Sequence, residues 1–247
     1  MSKRLYLNLF LSLLILLFGY NFASGLTGYW TIRIVNILSI VLAGFFLIKF
    51  NPSLLPKKNN STFRIQYLFP IVIGIIGLFL INYFIPLLTY KLMDWEWPSK
   101  IHLTKYELIR YLGLITILGV LEELYFRRII AQKIFNSKGF SKALWISALI
   151  FGFAHIVTDS GILGTFFGGL VLGYIYLKTK NIWISIFAHL TNNLISLFVS
   201  PFLDKNIADF SSYQKITIFI GFGLSLIYAM YLIFKKQTEL KPAGNTV

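Results

Sequence analysis

The 247-residue chain contains no cysteine, which excludes disulfides, thiol nucleophiles and cysteine-ligated metals. Charge is also scarce: only 13% of residues are Asp, Glu, Lys or Arg, against about 25% in an ordinary soluble domain. Acids are the scarcest group, at 9 Asp and Glu against 23 Lys and Arg, for a formal charge of +14. In their place are long apolar runs, with 57% hydrophobic and 17% aromatic residues and a mean hydropathy of +0.73. Water cannot be the solvent around most of such a chain. The basic excess does not indicate nucleic acid, because the Lys and Arg residues form short clusters between apolar runs rather than one basic face.

Crossing a hydrocarbon core of about 30 Å takes about 20 mostly apolar residues. Eight segments meet or approach this, at about 5–23, 29–50, 66–90, 106–131, 142–158, 161–178, 181–200 and 213–234. The expected fold is therefore an all-α polytopic membrane helix bundle of about eight transmembrane helices, one integral-membrane domain over 1–247. Lys3-Arg4 before a Leu-rich run, with Ala23-Ser24-Gly25 after it, resembles a signal peptide. The run exceeds the usual signal core, so a retained helix is expected. Eight spans place 16 of the 23 basic residues on one side, among them Lys3, Arg4, Lys57, Lys58, Arg64, Lys133, Lys138, Lys178, Lys235 and Lys236. Asp94, Glu96, Asp159, Asp204 and Asp209 fall on the other. Positive charge marks the cytoplasmic face, so both termini are expected there. Gly164/Gly168 and Gly169/Gly173 give overlapping GxxxG spacings in the sixth span, which favour close helix approach.

Ionisable groups inside a span cost at least about 2.5–3.5 kcal/mol each and so need a reason. Three clusters require one. In Leu121-Glu122-Glu123-Leu124-Tyr125-Phe126-Arg127-Arg128, Arg127 lies four residues beyond Glu123, so the two pair on one helix face. Glu122 points about 100° away and faces the bundle. Arg128 reads as an ordinary charged rim. The second cluster is Phe151-Gly152-Phe153-Ala154-His155, where a lone histidine reads equally as packing or as chemistry. In the third, His189-Leu190-Thr191-Asn192-Asn193, His189 and Asn193 share a face, although a buried Asn also serves as interhelical glue. His102, beside Trp95 and Trp97, reads as interfacial.

A buried carboxylate can act as general base on a water, and a histidine beside it can share that water or protonate a leaving amine. A second histidine and an Asn amide suit the oxyanion that develops at a scissile carbonyl. Glu122, His155, His189 and Asn193 are thus the candidate catalytic residues, with Glu123 and Arg127 in support. A zinc site is the rival, since Glu plus two His is a sound ligand set. The absence of HExxH, histidines on different helices and the poor ligand quality of Asn favour a reaction with no metal and no cofactor.

The pattern Glu122-Glu123-x-x-x-Arg127, Phe151-x-x-x-His155 and His189-x-x-x-Asn193 resembles the three ordered motifs of the CPBP family, which comprises CAAX proteases and bacteriocin-processing enzymes, also called Abi proteins. The resemblance covers about 105–200, the expected catalytic core. It implies an eight-helix intramembrane glutamic endopeptidase in a bacterial cell membrane, with Glu122 and His155 activating water. His189 and Asn193 would then stabilise the oxyanion. The implied substrate is a small peptide or a membrane protein, in bacteriocin or peptide maturation or self-immunity. Prenylated substrates make little sense in a bacterium. Two other readings use the same residues: a non-catalytic immunity or scaffold protein, and a transporter with Glu122 as its proton-coupled carboxylate. No inverted repeat supports the transporter.

Overall fold

The computed structural model describes residues 3–50, 65–98, 104–156 and 161–239. His102 and the segment 51–62 lie outside them. The described residues are almost wholly helical: α1 (Lys3–Ser24), α2 (Tyr29–Phe50), α3 (Leu68–Leu92) after a short 3-10 turn, α4 (Lys105–Glu122), a π-helical segment (Glu123–Ala131), α5 (Gln132–Ala154), α6 (Ile162–Thr179), α7 (Ile182–Lys205), the single turn α8 (Ile207–Phe210) and α9 (Tyr213–Glu239). Among the described residues six helices are long and apolar enough to cross a membrane: α1, α2, α3 with its preceding turn, α6, α7 and α9. The chain is an integral membrane protein with a helical-bundle architecture.

The two remaining expected spans are helical over 106–131 and, for the second, from 142 to Ala154, but do not reach that apolarity. Glu122, Glu123, Arg127 and Arg128 interrupt the first, and Lys133, Lys138 and Lys142 precede the second. A kink at Gly139 separates them, where the backbone leaves helical geometry and φ of 80° lies in the left-handed region that glycine enters without a Cβ penalty.

The chain forms two compact units. One comprises Met1–Ser61 with Ile101–Leu190, the other Thr62–Lys100 with Thr191–Val247, so α7 contributes to each. The first unit has a core of α1, α2, π-segment, α5 and α6 side chains, including Leu16, Leu47, Phe126, Ile130 and Tyr176. Within it α5 packs on α6 through Gly169, where an added Cβ would come to 2.8 Å from Ala148 Cα. Of the two GxxxG spacings, Gly169/Gly173 packs most tightly on α5, with Gly173 against Leu144, while Gly168 meets Phe151 of α5 at ordinary contact distance. In the second unit α3 crosses α9 at Gly77 and Gly223, each blocking a Cβ on the other through its carbonyl oxygen. Phe84 and Phe219 stack beside this crossing at 4.4 Å.

Candidate active site

The first unit gathers five of the six predicted site residues. Glu122 ends α4 and Glu123 begins the π-helical segment. The wider turn is visible in its hydrogen bonding, since the Gln132 amide donates to Arg127 O five residues back. Short π-helical segments re-aim side chains and recur at functional sites. Here the segment buries Glu123 and Arg127 completely while Glu122 stays partly accessible, at 12%. His155 caps the C-terminal end of α5, and His189 lies in the middle of α7.

Glu123 is the hub. Its Oε1 accepts from His189 Nδ1 at 2.8 Å, and its Oε2 accepts from Ser185 Oγ at 2.5 Å. Arg127 Nε lies 3.3 Å from the same Oε2, so a buried charge is balanced four residues along the chain. The Arg127 guanidinium also lies over the Phe151 ring, 4.3 Å from its centroid. Phe151 in turn holds the second histidine, because its carbonyl accepts from His155 Nδ1 at 2.8 Å. Arg127 thereby connects the two histidine-bearing helices through one stacked contact.

These bonds determine which nitrogen of each ring faces Glu122. A carbonyl or carboxylate partner requires Nδ1 to carry the hydrogen, so each neutral ring presents a basic Nε2. Both Nε2 atoms point at Glu122: His155 Nε2 lies 3.9 Å from Oε1 and His189 Nε2 lies 3.8 Å from Oε2. Those separations exceed a direct hydrogen bond. They suit one small donor held between the carboxylate and the rings. Tyr20 of α1, buried in the same unit, lies within electrostatic reach of Glu122.

Glu122, Glu123, Arg127, His155 and His189 are thus brought together, and the Glu123–Arg127 pair forms as its four-residue spacing predicted, with Glu122 turned toward the histidines. Asn193 lies one helical turn beyond His189 on α7, half-buried, in the second unit. Ser185 was not anticipated. Its signal was in the sequence, because Ser185, His189 and Asn193 repeat at four-residue spacing on one α7 face. Tyr20 had no comparable signal, being one tyrosine in an apolar span.

Residues 104–195 match the family described as type II CAAX prenyl endopeptidase Rce1-like. The resemblance to the CPBP family drawn from the three motifs is borne out over this segment. The curated protein "Putative membrane peptidase YdiL" of Bacillus subtilis (strain 168) is 39% identical over 74 residues, which is 30% of this chain and 30% of that protein. The aligned part thus spans less than a third of that relative's length. No solved structure matches the chain.

Proposed function

We propose that this protein is an intramembrane peptidase in which Glu122 is the general base. The observation that carries the reading is the convergence of two imidazole Nε2 atoms on one carboxylate, with both Nδ1 atoms held by fixed acceptors. A water molecule between Glu122 and His155 can donate one hydrogen to each, and their 3.9 Å separation leaves it room. Glu122, assisted by His155, takes one proton as the water oxygen attacks the scissile carbonyl carbon. The carbonyl π electrons move to oxygen, and the tetrahedral oxyanion forms. When the C–N bond breaks, its electron pair leaves with nitrogen, which takes up the transferred proton and departs as amine. The new carboxyl group stays on the other fragment.

His189 is oriented by the Glu123 carboxylate on its far nitrogen, much as the aspartate of a hydrolase triad orients its histidine, and in this proposal it donates to the oxyanion from Nε2 when that nitrogen carries a proton. The Asn193 amide, one turn along α7, is the second donor in this proposal. The family resemblance points to a small peptide or a membrane protein as substrate, in peptide maturation or self-immunity. Finding a gene for a peptide precursor or exporter adjacent to this one would support that assignment.

Glu122→Gln keeps shape and removes the base. Proteolysis of a quenched-fluorescent peptide library by the purified protein is expected to fall about 10²–10⁴-fold, with the thermal midpoint unchanged. Full cleavage by the Gln variant would sink the peptidase reading and leave the non-catalytic scaffold. Zinc is the competing chemistry, because histidines with occupied Nδ1 atoms are also how zinc ligands are oriented. Ligands about 2.0–2.1 Å from a tetrahedral zinc stand about 3.3 Å from each other, closer than the Glu122–histidine separations here. Among the described residues no group of three His, Asp or Glu side chains has metal-binding spacing. Activity is accordingly expected to survive chelator dialysis, and loss reversed by added zinc would overturn the metal-independent step.

A further inference from the structure

A second polar cluster lies in the first unit where α2 packs on α4. Tyr29, Arg33 and Asn36 repeat along one face of α2, and Tyr106 and Arg110 along one face of α4. The Arg110 guanidinium is walled by three rings, 4.7 Å from the Tyr29 centroid, 4.8 Å from Trp30 and 5.1 Å from Tyr106. Arg33 lies over the same Tyr29 ring at 5.5 Å. Tyr29 and Trp30 meet edge to face at 5.4 Å and close the box.

Two guanidiniums share one aromatic ring, and the nearby Glu107 acts on Arg110 only through space, with no ion pair between them among the described residues. Glu107 is committed to the helix cap, where its Oε2 accepts from both the backbone nitrogen and the hydroxyl of Thr104 at 2.9 and 2.7 Å. Four shielded polar atoms in the cluster have no hydrogen-bond partner among the described residues: Arg33 Nε, Arg110 Nε, Tyr29 Oη and Asn36 Oδ1. Shielded donors left unsatisfied are costly, and three of these atoms can donate. An anionic acceptor from outside the chain meets that demand.

Depth identifies the source. Arg33 and Arg110 lie within two turns of the start of α2 and α4. At about 1.5 Å per residue this places both about 6–8 Å inside the helix ends, near the headgroup boundary. Flanking residues face lipid: Trp30, Ile34, Tyr106 and Ile109 are all more than half exposed. We propose that this seam binds the phosphate of an anionic phospholipid in the leaflet at the N-terminal ends of α2 and α4. Arginine suits this because its planar fork takes phosphate oxygens while its face stacks on a ring.

The test uses the purified full-length protein, delipidated in detergent. It is titrated separately with phosphatidylglycerol, phosphatidylcholine and inorganic phosphate, and followed by native mass spectrometry and thermal melting. Phosphatidylglycerol is expected to bind the wild type at least about tenfold more tightly than phosphatidylcholine. Arg33→Gln/Arg110→Gln should lose about 25-fold in that affinity, at about fivefold per arginine. Equal binding of the two lipids by the wild type, or undiminished phosphatidylglycerol binding by the double variant, overturns the proposal. Stabilisation by inorganic phosphate equal to that by phosphatidylglycerol overturns the lipid as the source. Should the double variant not purify, Arg33→Gln and Arg110→Gln singly carry the same test, each losing about fivefold, and wild-type affinity in both refutes it.

Discussion

Glu122 and Glu123 are adjacent in sequence and have opposite tasks. Glu123 has no accessible surface and spends both oxygens on Arg127, Ser185 and His189. Glu122 makes no comparable hydrogen bond among the described residues and lies 3.8–3.9 Å from the two Nε2 atoms. Breaking a buried ion pair from one side leaves a charge without compensation, at a cost of about 3–5 kcal/mol. Arg127→Met is therefore expected to lower the thermal midpoint sharply. Glu123→Gln in the same chain should recover a large part of that loss, because the stranded charge is removed with its partner. Thermal melts of the two single variants and the double variant form a cycle that measures this coupling. Additive losses would show that the pair does not act as a unit.

At the scale of helices, the site depends on how closely α5 and α6 approach, since α5 carries Phe151 and is followed by His155. Gly169 allows that approach: a Cβ there would come to 2.8 Å from Ala148 Cα and 3.0 Å from its carbonyl oxygen, and backbone does not yield as a flexible side chain does. Gly169→Ala should cost about 1–3 kcal/mol, the usual range for overpacking. A lower thermal midpoint and weaker peptide cleavage measured together would bear this out, and an unchanged midpoint would refute it. Gly113 serves as the control, because an added Cβ there meets nothing within 4 Å.

For the whole molecule, we propose from the distribution of basic residues that both termini and the bend at Gly139 lie on the cytoplasmic side. The natural absence of cysteine makes this directly measurable with single introduced thiols. In intact cells, Ser137→Cys is expected to resist a membrane-impermeant maleimide and Ser212→Cys to react with it, the reverse pattern refuting the orientation. Much of this protein was legible in its sequence. Apolar run length determines the membrane class, and four-residue spacing determines that Glu123 meets Arg127 while Glu122 turns away, because both follow from local helical geometry. The tertiary structure decided the rest. Ser185 on Glu123, Arg127 over Phe151 and the choice of Nε2 as the exposed nitrogen of both histidines are contacts between residues far apart in the chain. No periodicity encodes such contacts. They exist only once helices have packed, when a buried hydrogen bond determines which side of a ring is left to do chemistry.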